Sequence, residues 1–467
     1  MNLNVALAKP VASPIVLISP YELGRQPFAL AEPAAQLRAA GHGVRCIDLS
    51  QQSLDAEQFA NARVVAIYLG MHTATRIALE ALDKLHGFAP DATFAAYGLY
   101  APVNAAMLRE RGIAHVFGAE CENDLLQLAA QVLGGTPPRS RTRVEFMVPD
   151  RSDLPALSRY AQLQLPDGES RTVGFVEASR GCKHKCRHCP VVPVYHGRFR
   201  AVPAEIVLAD IRQQVAAGAR HISFGDPDFL NGPTHAARII ERMHAQYPQL
   251  TWDAVVKVQH LIDHADLLPH FALRGCLFLT SAVESLDDAV LRRLEKNHTR
   301  EDFEHAVGLM RNAGIGLAPT FIPFTPWTSI DDYLDLLDTL VRLELVHAVP
   351  PVQLSIRLLI PAGSYLLELP GFRDQLDGFD ANALGYQWRH ADPRIDALQR
   401  EIQDWIARAE QGNVERTKIF AGIWRRAHDA AGRAAPALPE QLGKAIPAMS
   451  EPWYCCAEPT EQQLASI

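Results

Sequence analysis

Short apolar runs alternate with helix-like stretches twice along this chain, and that alternation leaves few folds open to it. Residues 15–19, 44–47, 64–69, 93–97 and 115–117 read as strands, with enough chain between them for a helical crossover, which is the pattern of a parallel sheet. Gly41, after Leu37-Arg38-Ala39-Ala40, marks one helix end, because glycine takes the left-handed conformation there without a steric penalty. Gly134-Gly135-Thr136-Pro137-Pro138 closes this series. A second series begins at 172–177 and continues through 221–224, 252–256, 276–280, 316–322 and 353–360. Six such strands predict a partial (β/α)6 barrel. Between the first two, Pro203 suits a helix start, Leu208, Ile211 and Val215 form an apolar stripe, and Gly218 stops it. After Gly363 the pattern turns mainly helical, with Ile395, Leu398, Ile402, Trp405 and Ile406 on one face.

The segment Ser179-Arg180-Gly181-Cys182-Lys183-His184-Lys185-Cys186-Arg187-His188-Cys189-Pro190 follows the first strand of the second series, so it is expected as a loop at a strand's carboxyl end. Thiolates are the usual ligands of iron–sulfur clusters, and four irons held by Cys182, Cys186 and Cys189 leave one iron open, which implies catalysis. Lys183, Lys185 and Arg187 favour ionised sulfur. The alternative is a zinc site with His184 or His188 as an added ligand, although structural zinc asks for a closed tetrahedral set. Eight cysteines in 467 residues are too few for a disulfide scaffold, and five of them are clustered, as expected for metal or redox chemistry in a reducing compartment.

Length implies several domains, and 48% apolar with 21% charged residues is the composition of a folded globular chain. The net charge of -8 lacks the basic excess of a nucleic-acid binder, so a small-molecule substrate is expected and no nucleic acid. No run approaches the ~18 apolar residues of a membrane span and the first residues carry no leader pattern, so the expectation is no membrane partner and a cytoplasmic location.

The Cys-x3-Cys-x2-Cys spacing after the first strand of such a series resembles the radical S-adenosylmethionine (SAM) superfamily, over roughly residues 173–364. The resemblance implies a [4Fe–4S] cluster, SAM bound at the open iron, and an electron donor such as flavodoxin or ferredoxin. By the same resemblance His188 stands where an aromatic contacts adenine, and Asp226, in Phe224-Gly225-Asp226-Pro227-Asp228, where an acid receives the SAM amino group. Glu284, in Ser281-Ala282-Val283-Glu284-Ser285, stands where a strand-four residue contacts SAM. By the same resemblance Arg357 is expected to contact SAM, and Lys296 and the Pro361-Ala362-Gly363-Ser364 turn occupy family-like places. Without the family, Asp226 lies in a turn and Glu284 caps a helix.

Residues 15–134 resemble the Rossmann-like cobalamin-binding domain that precedes many such barrels, on Gly98-Leu99-Tyr100-Ala101 and Gly118-Ala119-Glu120-Cys121-Glu122 at strand ends. That implies cobalamin as a further cofactor. The family's Asp-x-His-x-x-Gly motif is absent, since Asp48 is followed by Leu49-Ser50-Gln51, so the alternatives are cobalamin without a protein ligand or a domain that has lost it. His72 is the nearby imidazole at a strand end, read as a polar loop residue.

The tail Trp453-Tyr454-Cys455-Cys456-Ala457-Glu458-Pro459 resembles that of the CUAEP/CCAEP-tail radical SAM group, some of whose members carry selenocysteine at the position of Cys456. Cys455 and Cys456 are therefore expected to be catalytic, as a dithiol for a soft atom such as arsenic. The domains expected are 1–138, cobalamin-binding-like; 139–170, a linker after the Gly/Pro stretch; 171–370, the radical SAM core; and 371–467, helical with the cysteine tail. The reaction expected is a transferase reaction following reductive SAM cleavage, such as 3-amino-3-carboxypropyl transfer. The alternatives are a cobalamin-dependent radical methylase, hydrogen abstraction by a 5′-deoxyadenosyl radical, or a non-catalytic iron–sulfur electron carrier.

Overall fold

The computed structural model describes residues 13–136 and 145–451. The described residues divide into two compact units, one containing 27–136 and 145–155 and the other 156–451, each with its own core. Cys455 and Cys456 lie outside the described residues.

In the first unit β1 (Ile15–Ser19), β2 (Val44–Asp48), β3 (Val64–Tyr68), β4 (Thr93–Tyr97) and β5 (His115–Val116) form a parallel sheet in the order β2-β1-β3-β4-β5. Helices cover both faces, which is why β1 reads Ile-Val-Leu-Ile-Ser and is buried throughout. Gly98 follows β4 at φ +113°, and a Cβ there would lie 2.6 Å from the Leu69 carbonyl oxygen, so only glycine lets these two strand ends approach. Residues 150–153 are strapped to this unit. Arg38 pairs with Asp150 at 2.8 Å, and Asp153 accepts the Cys46 amide at 2.7 Å.

The second unit contains β6 (Gln162–Gln164), β7 (Ser170–Val176), β8 (Ser179–Gly181), β9 (Phe199–Ala201), β10 (His221–Phe224), β11 (Thr251–Val255), β12 (Cys276–Glu284), β13 (Gly316–Phe321), β14 (Leu376–Asp380), β15 (Gly385–Trp388) and β16 (Ala448–Met449). β7, β10, β11, β12 and β13 are parallel neighbours in a curled half-barrel, and β6 and β16 extend the β7 edge antiparallel. Within the expected 139–170 linker, Asp150 and Asp153 pair with Arg38 and Gln162–Gln164 joins the free edge of β7. The expected sixth barrel strand is a single rung, Phe324 with Arg357, preceded by a 3-10 turn at Pro351–Leu354. Two successive prolines, Pro350 and Pro351, lack the amide donors that a longer ladder would use.

The predicted helix after Pro203 is Ala204–Ala216, and its Gln214 side chain grips the Phe175 amide and carbonyl of β7 at 2.8 and 3.1 Å. The apolar face read at 395–406 belongs to helix Pro393–Gln411, which buries Ile395, Leu398, Ile402 and Ile406 and leaves Trp405 at its margin.

Candidate active site

The three-cysteine loop leaves the carboxyl end of β7 and is clamped at its base by the antiparallel β8–β9 ladder, Ser179 with Ala201 through Gly181 with Phe199. Gly181, directly before Cys182, has φ +76°, and a Cβ there would lie 2.5 Å from both the Arg198 carbonyl oxygen and the Tyr195 ring. The far side of the loop is held from other segments. The Arg187 amide donates to Leu294 O at 3.0 Å, and Ser364 Oγ, in the turn after Pro361, donates to Arg187 O at 3.0 Å.

Cys182, Cys186 and Cys189 are free thiols, and their sulfurs lie close enough to interact electrostatically. Burial pushes the Cys182 thiol up to about 11, with the His184 backbone N–H opposing it, and burial pushes Cys189 up as well. Such thiols stay protonated until a cationic centre replaces the proton. Two buried ammonium groups face them. Lys257 Nζ lies 3.9 Å from Cys186 Sγ, and Lys296 acts electrostatically on Cys186 and Cys189. Three soft donors with compensating cations fit an iron–sulfur cluster, whose net charge is negative.

Beside the cysteines, Glu284 ends β12 at φ +71°, an unfavourable backbone conformation for a residue with a Cβ. Its Oε1 accepts from Lys296 Nζ and lies within hydrogen-bond reach of His188 Nε2, each at 3.2 Å. Burial alone raises this carboxyl, but Lys296 and His188 more than reverse that and hold it at about 2. Lys296 sits between two residues in left-handed conformations, Glu295 and Asn297, a bend that aims its ammonium inward. His188 Nδ1 is buried with no hydrogen-bond partner, so the ring retains one polar atom for a ligand. That orphaned nitrogen fits the adenine-contacting place expected of His188.

The structure therefore brings His188 and Glu284 together with the cysteines. Asp226 is nearby at the end of β10, but its oxygens are already used, Oδ2 by the Ala178 amide at 2.9 Å and Oδ1 by Ser179 Oγ at 2.5 Å. Burial pushes this carboxyl up to about 7. Arg357 is committed elsewhere: it pairs with Asp396 at 2.6 Å, donates to the Trp388 carbonyl and stacks on the Trp388 ring, centroid distance 3.4 Å. The expected Arg357 contact with SAM thus meets a guanidinium whose attractive partners are Asp396 and Trp388.

Sequence reasoning missed Lys257, His298, Asp228 and His260, and it weighed His184 only as an added ligand beside the cysteines. Burial, then Lys296 and Lys257, pushes His298 down to about 4, which keeps it neutral beside these cations. Only the position of Lys257 just past β11 was available as a signal. In the first unit His72 is buried and begins helix His72–Phe88, in place of the polar loop position expected.

A loop of three free cysteines at the carboxyl end of a parallel half-barrel defines the class, and residues 176–340 match the model of the Radical SAM superfamily. Over those residues the half-barrel is similar to radical SAM domains, the kind that take a [4Fe–4S] cluster and SAM. Among curated relatives, the tRNA-2-methylthio-N(6)-dimethylallyladenosine synthase of Desulfosudis oleivorans is 29% identical over 215 residues, 44% of this chain and 45% of that protein. The ribosomal protein uS12 methylthiotransferase RimO of Trichlorobacter lovleyi is 24% identical over 172 residues, 35% of this chain and 38% of that one. The chain spans less than half the length of these relatives. Among solved structures, the cobalamin-dependent SAM radical enzyme OxsB, with aqua-cobalamin and SAM bound, has a TM-score of 0.67 at 16% identity, covering 85% of this chain and 67% of that one. The radical SAM methyltransferase TsrM from Kitasatospora setae has a TM-score of 0.55 at 18% identity, covering 71% of each chain. These likenesses extend the shared fold well beyond the barrel. Among the described residues no helix is long and apolar enough to cross a membrane.

Proposed function

We propose that this chain is a radical SAM transferase that cleaves SAM reductively and modifies a small molecule. The observation that carries this reading is the loop of three free, mutually close cysteines with two buried ammonium groups directed at its sulfurs. When bound, a [4Fe–4S] cluster supplies the electron that breaks a carbon–sulfur bond of SAM. Cys182, Cys186 and Cys189 hold that iron, and Lys257 and Lys296 offset its negative charge. His188 presents Nδ1 to adenine while Glu284 fixes its other nitrogen. Asp226 positions the chain between β7 and the cysteine loop through Ala178 and Ser179. The electron would come beforehand from an external donor such as a flavodoxin or ferredoxin.

The finer reading assigns Cys455 and Cys456 to a soft acceptor atom such as arsenic and the 3-amino-3-carboxypropyl group to the transferred fragment. A second reading, cobalamin-dependent methylation, rests on the β2-β1-β3-β4-β5 sheet and the likeness to OxsB and TsrM. Relatives named for tRNA and for a ribosomal protein suggest macromolecular substrates, but a net charge of -8 favours a small one.

Anaerobic reconstitution with iron and sulfide, followed by product analysis with SAM and a reductant, tests these readings. Methylthioadenosine marks aminocarboxypropyl transfer, 5′-deoxyadenosine marks hydrogen abstraction, and S-adenosylhomocysteine accompanies methylation. Protein that takes zinc in place of a cluster, or that loads four irons and leaves SAM intact, overturns the proposal.

A further inference from the structure

A second set of ligand-type side chains lies against the cysteine loop without using any of its sulfurs. His184 comes from the loop itself, Asp228 from the end of β10, and His260 from the short helix Val258–Asp263 after β11. One donor atom from each lies within 4.8 Å of the others. His260 Nδ1 is 2.7 Å and His184 Nε2 is 3.4 Å from Asp228 Oδ2, and the two imidazole Nε2 atoms are 3.2 Å apart. Asp228 is fully buried and His260 nearly so.

Two features set this trio apart from an ordinary hydrogen-bonded triad. The 2.7 Å contact between His260 Nδ1 and Asp228 Oδ2 lacks hydrogen-bond alignment, since both atoms are buried without a partner of acceptable geometry. An off-axis contact leaves both buried lone pairs available to a shared ion, whose bonds of about 2 Å at tetrahedral angles would part the two atoms to roughly 3.3 Å. The other carboxylate oxygen is already anchored: Asp228 Oδ1 accepts from the amides of Leu230 at 3.3 Å and Lys257 at 3.4 Å, which directs Oδ2 toward the imidazoles.

We infer that His184, Asp228 and His260 form a mononuclear site for a borderline divalent transition ion of the zinc or iron(II) class. Two imidazoles and one carboxylate are a donor set for such ions, and three protein ligands leave a position open for water or a substrate atom. The ion would tie the cysteine loop, through His184, to the ends of β10 and β11. The site is independent of the SAM chemistry proposed above and stands if that reading fails.

The test uses the full chain, reconstituted anaerobically with iron and sulfide and then equilibrated with one equivalent of Zn2+. The expected result is one zinc beside four irons per chain, with a first coordination shell of nitrogen and oxygen alone in zinc-edge X-ray absorption. His260→Gln and Asp228→Asn should each weaken zinc binding at least tenfold while the iron content stays at four. Absence of stoichiometric zinc in the unaltered protein overturns the inference. So does sulfur in the zinc shell, which would place the ion on the cysteines, or retention of zinc by both variants. Should a variant also lose iron, the zinc shell of the unaltered protein still decides.

Discussion

Replacing Lys296 with methionine tests the electrostatic core of the site most directly. Glu284 is 7% and Lys296 3% exposed, so neither charge can turn to water when its partner is removed. The carboxyl of Glu284 falls from the ordinary 4.5 to about 2 despite burial, through Lys296 first and His188 second. That depression of about two and a half units corresponds to roughly 3–3.5 kcal/mol at about 1.4 kcal/mol per unit. It agrees with the ~3–5 kcal/mol lost when one member of a buried pair is removed. Lys296→Met should therefore destabilise the second unit by about 3 kcal/mol at pH 7. In that variant burial keeps Glu284 protonated to higher pH, so the loss shrinks as the pH falls and the carboxyl takes up its proton. Adding Glu284→Gln removes the stranded charge, so the double variant should recover at least ~1.5 kcal/mol of the loss. Urea denaturation of cluster-free protein, followed by tryptophan fluorescence at pH 5, 7 and 8, provides the measurement. A loss below ~1 kcal/mol, or single-variant effects that add within ~0.5 kcal/mol, would refute the reasoning.

Asp226 carries the opposite sign. Its folded carboxyl is raised to about 7 by burial, against an ordinary 3.8, so the native state binds the proton more tightly than the unfolded chain. Its contribution is fully present below about pH 4 and disappears as the pH rises through 7, with a ceiling of ~4 kcal/mol. The stability of the unaltered protein relative to Asp226→Asn should fall across that window, and a flat difference would exclude the assignment. Gly181→Ala should cost ~1–3 kcal/mol through its clash with the Arg198 carbonyl and the Tyr195 ring, and should lower iron loading by shifting the adjacent Cys182; full loading with unchanged stability would contradict this. Arg357→Lys retains a charge but loses the planar stack on Trp388, so it should lower thermal stability by ~1–2 kcal/mol, with SAM affinity unchanged in equilibrium binding. Conversion of Cys182, Cys186 and Cys189 to alanine should abolish assembly of the four-iron, sulfide-containing cluster while the far-UV circular dichroism stays the same, since these thiols make no crosslink.

The parallel sheets were legible in the sequence because strands covered on both faces must be apolar along their whole length, as in β1 and β10. The cysteine loop was legible because its ligands lie within eight residues of one another, so their spacing alone limits what they can bind. The sixth barrel strand misled because an apolar run marks burial and not strand: 353–360 is mostly buried but makes one rung after a turn opened by Pro351.

What the sequence determined by itself was local: which segments are apolar on both faces, where glycine permits a close approach, and that three thiols share one loop. Tertiary structure decided which distant groups complete the site. His188 meets Glu284 across 96 residues, His184 meets His260 across 76, and Arg357 is drawn to Asp396 39 residues on. No spacing rule foretells such pairs, because a buried charge takes whichever partner the packed chain brings within about 3 Å, and the strength of that choice comes from the exclusion of water that only the finished fold provides.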